Sequence, residues 1–355
     1  MKLRIAIIGC GKASEKHLRV YKALTELIEV VAVCDLNLGR AEVFAKELGA
    51  KAYTDFKEML KKEPVDVVDL ALPSGLHGEI GKIVLRGFKK HLLVEKPLAL
   101  TLRDAEELIN LSERYKLKLV TIFQNRANLP VQKLKEFLEK GLLGKPLLIS
   151  TRFYWKRDQS YYDSADWRGT WALDGGALAQ QGCHFVDMMV YLGGDVEEVY
   201  AKMGTYLSKI EAEDLLVGTL RFKNGALGTI EATTCARPKD IKAEFVVLGE
   251  KGSSILSGFS LDRLEYLALD DGVNLSLDLS EKNPENPYGF AIYQYLKSAI
   301  LFFKEGALAP YLSVGEDALK SLKVILALYE SAERNRPISF PFRPRYCKLG
   351  RKPLA

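Results

Sequence analysis

The sequence predicts an α/β protein in two parts, a parallel sheet with helices on both faces and then an α+β domain with an open, mostly antiparallel sheet. Two rhythms and a length carry that prediction. Over the first 125 residues short apolar runs alternate with amphipathic stretches, the pattern of buried parallel strands joined by helices. From about Lys145 strand patterns follow one another directly. A chain of 355 residues also exceeds what one core usually holds. The expected division is 1–125, 126–340 and a basic tail over 341–355.

In the first part the apolar runs fall at 3–8, 30–34, 65–72, 91–94 and 117–123, with helical patterns over 15–27, 38–48, 55–62, 76–87 and 102–115. Thr101 with Asp104 reads as an N-cap followed by an early acid. In the second part strands are predicted over 147–154, 199–207, 215–222, 226–234, 242–248 and 252–256. Asn224-Gly225 supplies a hairpin turn, since both tolerate positive φ. Helices are expected over 177–192, 289–304 and 314–335. One face of the second sheet then needs a cover, and a second subunit is the candidate.

Composition narrows the class. Net charge is +5, from 51 basic and 46 acidic residues. The excess is local, because Arg343, Arg345, Lys348, Arg351 and Lys352 form an acid-free tail. A solvated or subunit-contacting tail is expected, and no nucleic-acid surface. No apolar run reaches the ~18 residues of a membrane span, and no secretory leader is read at the start. Cys10, Cys34, Cys183, Cys235 and Cys347 lack metal spacing and fit a reducing cytoplasm. No metal is expected.

Gly9-Cys10-Gly11-Lys12-Ala13-Ser14 follows a strand and opens a helix. Gly9 makes the turn, Gly11 admits a pyrophosphate, and the helix start faces the anion. Ser14 stands where a third glycine is usual. Asp35 closes the second strand, where an acid takes the adenosine ribose and favours NAD over NADP. The alternative for Asp35 is a helix N-cap. Leu72-Pro73-Ser74, with His77, follows the next strand and lies over the same crevice, or else forms a turn with Ser74 as a cap. Glu95-Lys96-Pro97 ends the strand after that, with Pro97 expected to hold Lys96 extended. A lysine there works or is paired; a plain Glu95–Lys96 ion pair is the alternative. Gly175-Gly176 leads into a helix on which Gln180, His184 and Asp187 fall at helical spacing. His17 and His91 read as structural.

Taken together, Gly9-x-Gly11, Asp35, Glu95-Lys96-Pro97 and Gly175-Gly176…Gly182-Cys183-His184…Asp187 resemble the glucose–fructose oxidoreductase / inositol dehydrogenase family over nearly the whole chain. The resemblance implies a Rossmann domain binding NAD, a second domain whose open sheet mediates oligomers, and a lysine-plus-histidine active site. Gln124-Asn125-Arg126, Trp155…Arg157-Asp158-Gln159-Ser160-Tyr161-Tyr162, Trp167-Arg168-Gly169-Thr170-Trp171 and Ala236-Arg237-Pro238 are similar to one subgroup, the bacterial UDP-N-acetylglucosaminuronate 3-dehydrogenases of surface-polysaccharide biosynthesis. The resemblance places Lys96 and His184 about the reacting alcohol, with Gln180 orienting substrate. Cofactor contacts fall to Gly9, Cys10, Gly11, Lys12, Asp35, Leu72, Pro73, Ser74, His77, Glu95, Lys96, Gln124, Trp167 and Arg168. Substrate contacts fall to Arg126, Arg157, Tyr161, Tyr162 and Arg237. It also implies a dimer or tetramer, and in some members reoxidation of NADH by 2-oxoglutarate.

The residues support an acidic substrate independently. A diphosphate-linked uronate needs arginine forks, and the 150–170 segment supplies Arg152, Arg157 and Arg168 among aromatics. Trp155 and Trp171 equally suit a core. The expected chemistry is proton removal by His184, whose side-chain type ordinarily titrates at about 6.5. Lys96 would stabilise the developing alkoxide; the two roles are interchangeable at this stage. Another sugar or inositol dehydrogenase, and a non-catalytic NAD-binding regulator, are the alternatives.

Overall fold

A computed structural model describes residues 1–270 and 289–351. The strands of the first sheet are β1 Leu3–Ile8, β2 Ile28–Cys34, β3 Lys51–Tyr53, β4 Val67–Leu70, β5 His91–Glu95 and β6 Leu119–Ile122. Helices α1 Ser14–Ala23, α2 Leu38–Leu48, α3 Phe56–Lys62, α4 His77–Ile83 and α5 Leu102–Arg114 connect them. All six strands run parallel in the order β6-β5-β4-β1-β2-β3, the doubly wound Rossmann arrangement. The order reverses between β1 and β4, so their carboxyl ends open the crevice where such sheets bind ligands. Apolar side chains bury β1, β4 and β6, and Asp69 is the one charge within β4.

Thr101 caps α5 as predicted, accepting the Asp104 N–H at 3.1 Å. Asn37 caps α2, accepting from Arg40 N–H, so Asp35 is left for other work. Helix α1 ends at Ala23, short of the predicted 27, and the chain turns at Leu24. The three-residue edge strand β3 was not predicted.

Beyond α6 Leu129–Glu139 come β7 Pro146–Tyr154, α7 Gln159–Tyr162, α8 Cys183–Gly193, β8 Val196–Gly204, β9 Leu215–Phe222, β10 Leu227–Thr233, β11 Lys242–Gly249, β12 Gly252–Ser257 and β13 Arg263–Leu269. Helices α9 Gly289–Glu305 and α10 Asp317–Arg334 follow, with short strands β14 Ser313–Val314 and β15 Ile338–Ser339. The second sheet runs β13-β12-β11-β7-β10-β9-β8-β15, and only its β7–β10 pair is parallel. One face is covered by helices: Phe153 of β7 stacks on Phe185 of α8 at 5.0 Å, and Ser331 of α10 receives the Ala201 N–H at 3.0 Å. The other presents Leu227 and Leu248 beside polar neighbours such as Ser150 and Thr229. In the β9–β10 turn only Gly225 takes positive φ, at 90°; Asn224 does not, which makes a type I turn closed by a left-handed glycine. Strand β8 ends before the predicted 207 because Asp214 gathers the N–H groups of Tyr206, Leu207 and Ser208 into a loop.

The chain forms two compact units, Met1–Gln124 with Ile292–Leu319, and Asn125–Ala291 with Lys320–Ala355. The first is therefore built from two stretches. In it β14 pairs antiparallel with β6, Tyr295 donates to the Thr121 carbonyl, and the Lys118 ammonium bonds the Phe302 and Phe303 carbonyls.

The described part of the basic tail is docked. Glu330 of α10 accepts the N–H groups of Arg345 and Tyr346, Glu333 accepts that of Lys348, and Gly350 donates to the Trp171 carbonyl. Cys347 and Leu349 are both 2 % exposed. Lys352 lies outside the described residues. Leu349→Ala should cost ~2–5 kcal/mol in urea unfolding, the range of a buried leucine. Lys348→Ala, a surface change, should stay within about 0.5 kcal/mol.

Candidate active site

The turn after β1 is shaped by close approach. Gly9 sits at φ +100°, and a Cβ there would meet the Ala71 carbonyl oxygen at 2.3 Å. At Gly11 a Cβ would meet nothing within 4 Å, so that side of the loop is open. Ser14 is fully buried and donates to the Gly9 carbonyl. It closes the turn from the position where a third glycine would only leave room. No side chain caps α1, and since Glu15 and Lys16 N–H bond the Gly11 and Ala13 carbonyls, it is the N–H groups of the turn just before them that suit an anion. Asp35 accepts the Cys10 N–H through Oδ2 at 2.9 Å, and its Oδ1 takes the Asn37 N–H and lies 3.1 Å from the Arg40 guanidinium. It keeps acceptor capacity for a ribose. Lys12 is exposed beside this turn. Gln124, at the end of β6, is buried with its Oε1 lacking a hydrogen-bond partner. An open glycine loop, an uncapped helix start, a strand-end acid and an orphaned amide oxygen fit a dinucleotide.

The loop after β4 holds Leu72, Pro73 and Ser74, and Ser74 is buried without capping a helix. The His77 nitrogens face two backbone carbonyls, Pro97 at 2.8 Å and Leu72 at 2.9 Å. Burial lowers its pKa against those two bonds. His77, expected at the cofactor, ties the β4 loop to the Lys96-Pro97 loop. The Lys96–Pro97 peptide is cis. Glu95 is not a simple partner for its neighbour: it accepts the Lys96 backbone N–H at 3.1 Å and faces His17 Nε2 at 3.2 Å.

His17 has carboxylates on both nitrogens, with Asp69 at 2.8 Å from Nδ1, and Tyr21 also donates to Asp69. Burial opposes its charge, but Asp69 and Glu95 outweigh that and raise the imidazole to about 10. Burial likewise opposes the Glu95 charge, yet His17 first, then Lys96 and Lys16, hold that carboxyl at about 2. Burial brings Lys16 down to about 8. The sequence signal for this cluster was the acid at position 69 inside an apolar strand.

In the second unit the predicted continuous helix divides. Ala177–Gln181 is a π turn closed by Gly182 N–H on the Ala177 carbonyl, and α8 starts at Cys183. Gln180, His184 and Asp187 therefore do not share one regular face. Gln180 donates to Asp174, His184 sits 7 % exposed in the first turn of α8, and Asp187 points to Arg126. The start of the π turn is pinned by residues that sequence reading missed. Glu213 accepts Leu178 N–H at 2.8 Å and the Tyr329 hydroxyl at 3.0 Å, and Tyr329 receives Ala179 N–H. Gly176 is required here, since a Cβ would meet Glu213 Oε2 at 1.9 Å. Burial, with Asp214 adding to it, pushes Glu213 up to about 8 against those hydrogen bonds.

Two of the predicted arginines, Arg157 and Arg168, lie against Tyr161. The Arg168 guanidinium lies 4.3 Å from its ring and 4.6 Å from that of Trp167; Arg157 lies 5.4 Å from Tyr161 and 5.5 Å from Trp155. Arg237 donates to the Arg157 carbonyl at 3.1 Å. Other expected contacts are taken up internally. Tyr162 is buried with its hydroxyl on Thr234 at 2.9 Å, and Arg152 pairs with Glu244. Trp155 stacks on Phe259 at 4.3 Å, and Trp171 meets Tyr329 edge-on. Arg126 is 1 % exposed and forks onto the fully buried Asp187, at 2.7 Å and 2.6 Å. Among the described residues no cluster of metal-ligating side chains occurs, and no helix is long and apolar enough to cross a membrane.

Comparison with known proteins finds relatives for both parts of the chain. Residues 3–123 match the oxidoreductase family with an NAD-binding Rossmann fold, and residues 131–255 match the GFO/IDH/MocA C-terminal domain. Myo-inositol 2-dehydrogenase of Thermotoga maritima is 32 % identical over 237 residues, 64 % of this chain and 68 % of the relative. The WlbA dehydrogenase of Bordetella pertussis, solved with NADH and UDP-GlcNAcA, has a TM-score of 0.87 and 30 % identity over 96 % of this chain and 100 % of its own. Its counterpart from Chromobacterium violaceum, solved with the same two molecules, has a TM-score of 0.89 at 30 % identity, covering 96 % of each chain.

Two expectations test the internal assignments. Arg126→Met should destabilise by about 3–5 kcal/mol in denaturant melts, because it strands a buried carboxylate; a loss confined to substrate KM would instead mark a substrate ligand. Glu213→Gln should flatten a pH dependence. The native carboxyl keeps a proton that the unfolded chain releases between 4.5 and about 8. Its stabilising contribution is complete below that window and is lost as pH rises through it, at up to ~1.4 kcal/mol per unit. Urea melts from pH 5 to 8 should show that decline in the parent and not in the variant.

Proposed function

The chain belongs to the GFO/IDH/MocA oxidoreductase family and is an NAD-dependent sugar or polyol dehydrogenase; on that premise we propose that its substrate is a UDP-linked uronate, UDP-N-acetylglucosaminuronate, oxidised at the 3-hydroxyl to the 3-keto sugar. The observation that carries this reading is the pair Arg157 and Arg168 against Tyr161, with Arg237 bonded to the Arg157 carbonyl beside them. A neutral polyol needs no such charge, whereas diphosphate and carboxylate groups pair with guanidinium forks. The two WlbA enzymes crystallised with UDP-GlcNAcA support the same substrate.

NAD, when bound, supplies the hydride acceptor. Gly9, Cys10, Gly11 and the start of α1 bind its pyrophosphate, and Asp35 its ribose. His184 takes the proton from the sugar hydroxyl. Lys96 stabilises the negative charge that grows on the reacting alcohol. Gln180, held by Asp174, orients the ring without carrying a proton. The partly apolar outer face of the second sheet, with Leu227 and Leu248, supports self-association.

A neutral-substrate reading is favoured by the inositol dehydrogenase relative. Turnover separates the two: NADH formation should appear with UDP-N-acetylglucosaminuronate and fall sharply with UDP-N-acetylglucosamine or myo-inositol. Equal rates with the uncharged sugars would remove the uronate assignment. Lys96→Ala and His184→Ala should each bind NAD normally and lose ~10²–10⁴-fold in kcat. Full turnover in either would remove that residue's role.

A further inference from the structure

We propose that His17 is a positioning residue for Lys96, acting through Glu95: it touches no ligand and holds the carboxylate that stands beside the catalytic lysine. This rests on the catalytic reading of Lys96 above.

The geometry is that of a clamp. One Glu95 oxygen faces His17 Nε2 at 3.2 Å, and the other accepts the Lys96 backbone N–H at 3.1 Å. The Glu95 side chain is 12 % exposed and that of His17 is fully buried. Neither oxygen of Glu95 can turn without losing a partner. His17 is itself fixed from behind by Asp69 at 2.8 Å, which Tyr21 bonds at 2.7 Å. His17 and Tyr21 belong to α1, the helix whose start faces the dinucleotide, while Asp69 and Glu95 belong to β4 and β5. One imidazole thus joins the phosphate-binding helix to the strand that ends at Lys96.

Packing alone does not account for this arrangement. Buried ion pairs are often replaced by apolar side chains of similar volume without loss of stability. An apolar contact would serve to join α1 to the sheet, but it would leave Glu95 free to turn. The charged groups facing His17 are Asp69 and Glu95; the titratable groups facing Glu95 are His17, Lys16, Lys96 and His77; those facing Lys96 are Glu95, Lys16 and His77; Tyr21 faces Asp69. His17 answers part of the Glu95 charge that would otherwise fall on the lysines. Removing it should strengthen the hold of Glu95 on the Lys96 ammonium, and removing the Glu95 charge should weaken it.

The test uses the full-length enzyme with NAD and its sugar substrate. The reference is the limb of the pH–kcat profile that Lys96→Arg displaces. His17→Gln should move that limb to higher pH by about one unit, and Glu95→Gln should move it to lower pH by a similar amount. In both, kcat should fall about tenfold or more while KM for the sugar and Kd for NAD stay within about threefold. A merely structural role would lower Tm and weaken NAD binding with the limb unmoved. An unmoved limb in both variants, movement in one direction for both, or no such limb overturns the proposal. Should His17→Gln not fold, the Glu95→Gln limb decides alone. Turnover retained by Lys96→Ala removes the catalytic reading and this inference with it; an inactive Lys96→Ala with an unmoved limb removes this inference only.

Discussion

Water is excluded from the space between α1, β4 and β5, and there His17 carries a carboxylate on each ring nitrogen. A buried carboxylate is stable only when a cation or several donors face it. Asp69 interrupts an otherwise apolar strand, so the helix above it must supply a positive group at one definite place. That requirement fixes the rotation and height of α1 over the sheet. The same helix begins at the glycine turn, where Ser14 ties back to Gly9. A charge pair deep in the first unit thereby sets where the N–H groups of that glycine turn lie.

The second unit meets an analogous demand in another way. Glu213 sits at the opening of the π turn, where successive N–H groups need acceptors. Its oxygen and the Tyr329 hydroxyl satisfy Leu178 and Ala179. Beneath α8, the Arg126 fork and the Ser321 hydroxyl answer Asp187. Each acid holds backbone or helix in place from inside the core. Nearer the surface, the Arg168 guanidinium lies over the Tyr161 and Trp167 rings.

Much of the architecture was legible because hydrophobic period is a local property. Strand β1 and helix α2 have their predicted limits, and the change from alternating to consecutive strands marks the second sheet. Strands β3, β14 and β15 are too short to leave a pattern. Helix α6 escaped although Pro130 opens it. The internal partners were out of reach for a different reason: Arg126 and Asp187, or Lys118 and the Phe302 carbonyl, meet only through tertiary folding, and either arginine or lysine alone reads equally well as a ligand for substrate. Glycines and the acid of the dinucleotide loop were readable because their demands are met by the neighbouring backbone.

The π turn at Ala177–Gln181 bears on how relatives of this chain are to be aligned. A π turn is what remains when one residue is inserted into an α-helix and the flanking turns are kept. Counting forward from Gly176 by helical period therefore slips by about a third of a turn before it reaches His184. Residue equivalences on the two sides of Gly182 need separate anchors, the paired glycines before it and the histidine after it, and a homologue lacking the extra residue would carry the same imidazole at a different ordinal distance.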